Sequence, residues 1–563
     1  MTSPVQPFGD RAFLVPVADV SAARALARAV EHARQAGTAP AGTGEALAGL
    51  DSVVVCSVPD AGGDDLLAAW LGELASRAAE ELATAGPDEH PGPDRSRRAV
   101  DVPVEFDGPD LGTVADAIGA TRSAVVDLLT VSDLEVALLG FAPGFPYLVG
   151  LPPELAAIPR RSTPRSSVPA GSVAIAGGFA SIYPESSPGG WMILGRTSIR
   201  LFDPDHPPFA LLQPGDKVRF STAGAEGDWA QPHLAASGVG TARPPLVADG
   251  DRSVEVLEPG LLSLVEDAGR QGVAGLGVPR AGAADADSMV LANRLVGNPA
   301  HAACIEITAR GPTLRFGQES HLAVVGSVPD AVEVRLDGHP VGTDLVVPVR
   351  AGQTLTVGLV RVGLRAYLAV AGGMETPLVV GSRSSDRLSG LGPGPLMAGD
   401  RIPIGIPARP HGVLSRPPSA ADPSDPIRVV LGPHRFPARV TDALCSAEWS
   451  VTAESNRVGL RLVGGPPLIP GPPATSTAMV TGAVQIPADG NPIVLMVDHA
   501  TLGGYPVIAC VISADLARLG QLGPGDHAKF FPVSRAEAIR AADRRARALA
   551  GSVSGWFPTA TAT

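Results

Sequence analysis

"GGWMILGRTSIRLFDPDHPPFALLQPGDKVRF" (189–220) and "GGYPVIACVISADLARLGQLGPGDHAKFF" (503–531) decide the fold, because the second repeats the first. Each runs Gly-Gly-aromatic, apolar strand, short excursion, Leu-x-Pro-Gly-Asp and a final strand. Upstream, "GSVAIA" (171–176) and "GAVQIP" (482–487) share Gly-x-Val-x-Ile, and weaker versions of the turn recur in "AGD" (398–400) and "AGQTLTV" (351–357). In Pro-Gly-Asp, proline presets φ and glycine takes positive φ, so the chain reverses tightly and the next strand must pair. Repeated units of this kind predict two or three related antiparallel β-barrels.

The rest of the chain agrees with a many-turned β protein. It has 563 residues, 45% hydrophobic and 18% charged, with 66 Gly and 56 Pro spread throughout. That length predicts several domains and that composition a packed core. The net charge of −13 with no basic tract gives no footprint for nucleic acid. Lys217 and Lys529 are the only lysines, which excludes a Walker A loop and a Ser-Ser-Lys amidase triad. The cysteines at 56, 304, 445 and 510 are isolated, and "VVVCSV" and "VIACVI" read as buried thiols of a reducing compartment. With no signal-peptide pattern and no run of eighteen apolar residues, the expectation is a cytoplasmic protein that does not contact a membrane.

Residues 1–99 read as a small α/β domain: strand 11–18, helix 21–37, strand 52–58, helix 64–86 and a third strand at 98–106, which serves as scaffold or interface. A barrel is expected over 100–222 and a linker over 223–252. Two further barrel regions follow, at 253–425 and 426–535, divided by the breaker "PARPHGVLSRPPSAADPSDP" (407–426). Residues 536–563 form a last helix and a frayed tail; Ser534 and Glu537 read as its capping box.

No H-E-x-x-H, zinc spacing, G-x-S-x-G elbow or Rossmann loop is present, so no metal or catalytic residue is assigned. Clusters of Arg, Asp and aromatics in turn-rich places remain. "PRRSTPRSSVPAGS" holds Arg160, Arg161 and Arg165 between prolines, a rigid frame for gripping an anion. Arg196, Arg383 and Arg387 are further anion candidates, as are Asn456, Arg457 and Asp498, although packing competes for Arg457. Phe141, Phe145 and Tyr147 in "GFAPGFPYLVGLP", with Tyr183, Trp191 and Tyr505, are expected as site walls.

"LGFAPGFPYLVGLP", "PRRSTPRSSVPAGSVAIAGG" and "YPESSPGGWMILGRT" closely resemble the B subunit of 5-oxoprolinase, also called allophanate hydrolase subunit 1. Residues 255–298, "YLAVAGG" (367–373), "GSRSSDRLSG" (381–390) and 482–509 resemble the C subunit, or allophanate hydrolase subunit 2. The resemblance implies a mainly β fold: one cyclophilin-like β-barrel in the B half, behind the α/β domain, and two in the C half. It implies an ATP-dependent opening of 5-oxoproline to glutamate with a separate 5-oxoprolinase A-type subunit, with ATP and Mg as cofactors and a lactam or amide as substrate. The paired domains also resemble the carboxyltransferase part of urea carboxylase. Neither lysine has a Met-Lys-Met context, so biotin would sit on another chain. A non-catalytic, kinase-inhibitor-like regulator is the third reading; a homo-oligomer is left open. The sequence departs from the family at Leu129 (usually His), Leu134 (aromatic), Phe179–Ser181 (Gln-Thr-Gly), Ser476–Ala478 (Ser-Glu-Gly) and His499–Ala500 within Asp-x-Gln-Thr.

Overall fold

In the computed structural model the echo is one turn built four times. In Gln213-Pro-Gly-Asp216 the Asp216 N–H donates to Gln213 O (3.0 Å) and Asp216 Oδ2 accepts from Gln213 N–H (2.9 Å). Gly523-Pro-Gly-Asp526 repeats both bonds at 3.0 and 2.8 Å. Met397–Asp400 makes them at 3.1 and 2.8 Å, and in Arg350–Gln353 the glutamine amide oxygen replaces the carboxylate, at 3.2 and 2.8 Å. The third residue of each is a glycine, with φ between +83° and +100°. A strand follows each turn: Lys217–Thr222, His527–Ala528 and then Phe530–Pro532, Arg401–Pro403, and Thr354–Val360.

The structure describes residues 5–58, 63–84, 98–223, 246, 250, 252–407, 413–414, 425–469 and 475–554. Most of the expected 223–252 linker and 407–426 breaker, and the tail beyond 554, lie outside them.

Two nearly closed barrel sheets share one plan. In the B half, seven strands include Ser172–Ala176 paired with Met192–Arg196; in the C half, eight strands include Ala483–Gln485 paired with Val507–Val511. Both pairings are antiparallel and both carry a bulge. In each barrel a strand after the Pro-Gly-Asp turn closes the sheet in parallel: Lys217–Thr222 beside Ala99–Val104, and Phe530–Pro532 beside Ile427–Leu431. The sequence reading of purely antiparallel barrels is corrected by these two parallel pairs. So is the assignment of 98–106 to the α/β domain, since Ala99–Val104 belongs to the barrel. Its alternating buried valines, Val102 and Val104, face the barrel core. The remaining C-half region is two facing sheets, of six and five strands, around one core that takes Val254, Leu314 and Leu355 from one sheet and Ile305, Leu322 and Leu368 from the other.

The N-terminal domain has four strands, with Gln6–Pro7 and Thr43–Ala48 added to the two expected at 11–18 and 52–58, and helices Val20–Gln35 and Asp64–Thr84. It docks on the distant second C-half barrel. Asp10 accepts from Ser513 N–H (2.9 Å) and Ser513 Oγ (2.5 Å); Leu50 N–H donates to Ser476 O (2.9 Å). Arg535 pairs with Asp64 and lies 4.1 Å over the Phe13 ring. The helix Arg535–Gly551, with its Ser534/Glu537 capping box in place, is therefore a strut between chain ends as well as a surface helix. Among the described residues, no helix is long and apolar enough to cross a membrane. The four cysteines are free; Cys304 and Cys510 are buried, whereas Cys56 and Cys445 are partly exposed.

Candidate functional site

The expected aromatic walls come together, but as a closed interface core. Phe145 sits at the centre, with ring centroids of Tyr183 at 5.2 Å, Phe141 and Tyr147 at 5.4 Å and Trp191 at 5.8 Å. Phe145, Tyr147, Tyr183 and Trp191 are all buried, against Met479 and Leu502 of the second C-half barrel and Leu47 of the N-terminal domain. Their edge-to-face packing and burial make this cluster a seal between halves and not the wall of an open cavity. Tyr505 lies apart and is half exposed.

The "GFAPGF" turn is shaped for that seal. A Cβ on Gly140 would stand 2.1 Å from Leu502 Cδ1, and one on Gly277 would stand 2.2 Å from Ala142 O. Gly144 N–H donates to Leu276 O at 2.8 Å. The motif is thus gripped by both C-half units, and Phe141 holds φ +70°, a left-handed conformation costly for a side-chain-bearing residue.

The arginines of the proline-bound loop are divided. Arg161 (3.0 Å) and Arg165 (2.8 Å) both bond Asp110 Oδ1, while Oδ2 accepts from Ile193 N–H at 2.8 Å. Burial pushes the Asp110 carboxyl up, but Arg165, the Ile193 N–H and Arg161 more than reverse this and hold it below its ordinary value. These two arginines are thereby committed to the fold. Arg160 is exposed, 6.0 Å over the Trp191 ring. Arg196 pairs with Glu105 and Asp107 at the surface. Arg383 is held by Glu375 and Thr376 O, and Arg387 is exposed.

Asn456 caps its own turn by accepting from Val458 N–H (2.8 Å), but Arg457 and Asp498 form the centre of a buried ionic network. Arg457 grips Asp498 through Nε and Nη2 (both 2.9 Å), Glu306 through Nη1 (2.5 Å) and Gly282 O through Nη2 (2.7 Å). Glu266 Oε1 stands 3.3 Å from Nη2. Glu306 also accepts from Tyr367 Oη (2.7 Å) and Ala284 N–H (2.8 Å). Burial raises Asp498 to about 6 despite Arg457, and pushes Glu266 well above the carboxylate range. His499, buried beside it, is lowered by burial, and its Nδ1 lies 2.8 Å from Ala500 O. Closed to solvent, this network cannot meet a substrate; it locks the two C-half units together.

An open cavity of about 230 Å³ lies where the N-terminal domain, the B barrel and the C half meet. The helix Val20–Gln35 lines it with Arg24, Arg28 and Glu31, Leu138 lines it from the B barrel, and Thr501 and Leu502 line it from the C half. Arg24 bonds Glu135 (2.5 Å), which also pairs with Lys217 (3.1 Å), and Glu31 pairs with Arg34. Sequence reasoning missed Arg24 and Arg28, although their i, i+4 spacing on one helix face was legible. It also missed Asp110, Glu266 and Glu306; acids inside apolar runs such as "LSLVED" and "CIEIT" mark a buried, paired charge. Of the departures from the family pattern, Leu129 and Leu134 are fully buried in the B-barrel core, and Phe179 packs on Tyr147 at 5.8 Å.

Residues 3–212 match the carboxyltransferase domain, subdomains C and D, and residues 276–532 match subdomains A and B. The chain is 37% identical over 294 residues to the C subunit of 5-oxoprolinase from Escherichia coli (strain K12), covering 51% of this chain and 94% of that protein. It is 48% identical over 129 residues to the B subunit of 5-oxoprolinase from Bacillus subtilis (strain 168), covering 22% of this chain and 53% of that protein. The crystal structure of TTHA0988 superposes with a TM-score of 0.77 at 34% identity, covering 92% of this chain and 99% of that one. With both halves matched in one polypeptide that closes on itself, the chain belongs to the family of 5-oxoprolinase B and C subunits, the carboxyltransferase-domain proteins, as a fusion of the two.

Proposed function

We propose that this chain is the B–C component of an ATP-dependent 5-oxoprolinase, opening 5-oxoproline to glutamate together with a separate A-type subunit in the cytoplasm. The carrying observation is that the two halves, each similar to one subunit of that enzyme, close around a cavity to which both contribute. A lactam is a poor electrophile; phosphorylating its oxygen supplies a leaving group, and fixed cations stabilise the charge that develops.

The cavity does not fit ATP. Its volume of about 230 Å³ is below the roughly 300–1,000 Å³ usual for ligand pockets. Its one acidic lining residue, Glu31, is already paired with Arg34, which leaves no carboxylate for Mg. The nucleotide and its Mg therefore belong to the A-type subunit in this reading, and this chain contributes the binding of the organic substrate. The two lysines are likewise engaged, Lys217 with Glu135 and Lys529 with Glu448 (3.3 Å). The test is an ATPase assay of the purified chain with an A-type subunit, coupled to glutamate detection. ATP hydrolysis that depends on 5-oxoproline and on both proteins is expected; no such dependence refutes the proposal.

A further inference from the structure

We infer that the cavity between the helix Val20–Gln35, the B barrel and Thr501 is a binding site for a small carboxylate that carries an amide, with Arg28 as its anion anchor and Thr501 as its amide contact. Three independent observations meet there. The first is charge. Arg24 and Lys217 share the single carboxylate of Glu135, and Arg28 adds a third cation with no hydrogen bond or salt bridge among the described residues. Arg28 lines the cavity while staying solvent-exposed, and partial burial and the neighbouring Arg24 lower its pKa against the opposing pull of Glu135, so its charge is incompletely matched. A guanidinium in that state favours an incoming carboxylate, which it can hold through two parallel N–H donors.

The second observation is an orphan. Thr501 is buried, lines the cavity, and its Oγ1 has no hydrogen-bond partner among the described residues. An unpaired buried hydroxyl is unfavourable unless something arrives to satisfy it. A hydroxyl both donates and accepts, so it can meet either the carbonyl or the N–H of an amide. The third is shape. Apart from Arg24, Arg28, Glu31 and Thr501 the lining is small and apolar, including Ala48, Leu138 and Leu502, which suits a compact ring or short aliphatic body and leaves no room for a nucleotide. The cavity's chemistry stands without the function proposed above; naming 5-oxoproline as its occupant rests on that reading.

The test uses the full chain and three probes: 5-oxoproline, pyrrolidin-2-one (amide without carboxylate) and cyclopentanecarboxylate (carboxylate without amide). Binding is measured by ligand-observed NMR and titration on the wild type, Arg28→Gln, Thr501→Val and the cavity-filling Ala48→Trp. The wild type is expected to bind 5-oxoproline at least tenfold more tightly than either partial probe, and Ala48→Trp should bind none of the three. Arg28→Gln should erase the advantage over pyrrolidin-2-one, and Thr501→Val the advantage over cyclopentanecarboxylate. Thr501→Val should also melt no lower than the wild type, because it removes an unsatisfied group. That separates ligand contact from a structural role. Absence of 5-oxoproline binding to the wild type, or binding that Arg28→Gln and Thr501→Val leave unchanged, overturns the site. If turnover with the A-type subunit persists while both variants behave as wild type, the proposed function stands and the site falls. If the binding pattern appears but no turnover is found, the site stands and the function falls.

Discussion

Replacing Glu266 by Gln should stabilise the protein, and the gain should grow with pH. Glu266 is fully buried, neither carboxylate oxygen accepts a hydrogen bond among the described residues, and Arg457 Nη2 stands 3.3 Å away. That guanidinium is already held by Asp498 at 2.9 Å and Glu306 at 2.5 Å, and the Ser384 hydroxyl donates to Asp267. Burial therefore pushes the Glu266 carboxyl well above its ordinary value, against the pull of Arg457. An unfolded glutamate titrates near about 4.3. Between that value and the raised folded one, the folded chain holds a proton that the unfolded chain has released. Stability is then complete at low pH and falls by about 1.4 kcal/mol per pH unit as pH rises. The penalty reaches an upper bound of about 4 kcal/mol at pH 7.5 and only about 1 kcal/mol at pH 5. Glutamine has the same shape and needs no proton. Urea denaturation at the two pH values should show Glu266→Gln more stable by about 1–4 kcal/mol at pH 7.5, with the difference shrinking to under about 1 kcal/mol at pH 5. A variant less stable at pH 7.5, or a gain equal at both, would mean that Glu266 is ionised and paired with Arg457, refuting the reasoning.

Arg457→Leu should cost about 3–5 kcal/mol in the same assay, because it strands buried carboxylates on both C-half units. Asp110→Asn should cost about 1–3 kcal/mol and free Arg161 and Arg165, so that limited trypsin digestion cuts the 159–165 loop faster. Gly140→Ala should cost about 1–3 kcal/mol by driving a methyl into Leu502, and Leu502→Ala should recover part of that loss in a double-mutant cycle.

The barrels were legible because their signal is local. A Pro-Gly-Asp turn is written in consecutive residues, and the Asp216, Asp526 and Asp400 carboxylates all close it on the residue three before. The two parallel closing strands were not legible: Lys217–Thr222 pairs with a strand more than a hundred residues earlier, and nothing in an alternating apolar run states whom it will join. The site was harder for the same reason. Arg161 and Arg165 stood out as clustered cations, yet the carboxylate that claims them, Asp110, comes from a different part of the chain. Charge in a sequence shows what must be neutralised; only the fold shows whether a neighbour or a ligand does it.

This distinction recasts the aromatic motif. Glycines and prolines around Phe141, Phe145 and Tyr147 suit a binding wall or an interface equally well, since both need fixed side-chain directions. The Gly140 and Gly277 contacts decide between them, because a backbone approached to 2.1–2.2 Å of a hypothetical Cβ by the other half of the chain is a seat for protein. The motif thereby holds the B barrel at a set position against the C half. The cavity lies on that same seam, with Leu138 two residues before Gly140 and Thr501 one before Leu502. A shift of the seam would move Leu138 and Thr501 relative to each other, so the packing of the motif sets the width of the cavity. Loss of ligand affinity in Gly140→Ala, beyond its effect on stability, would be the signature of that coupling.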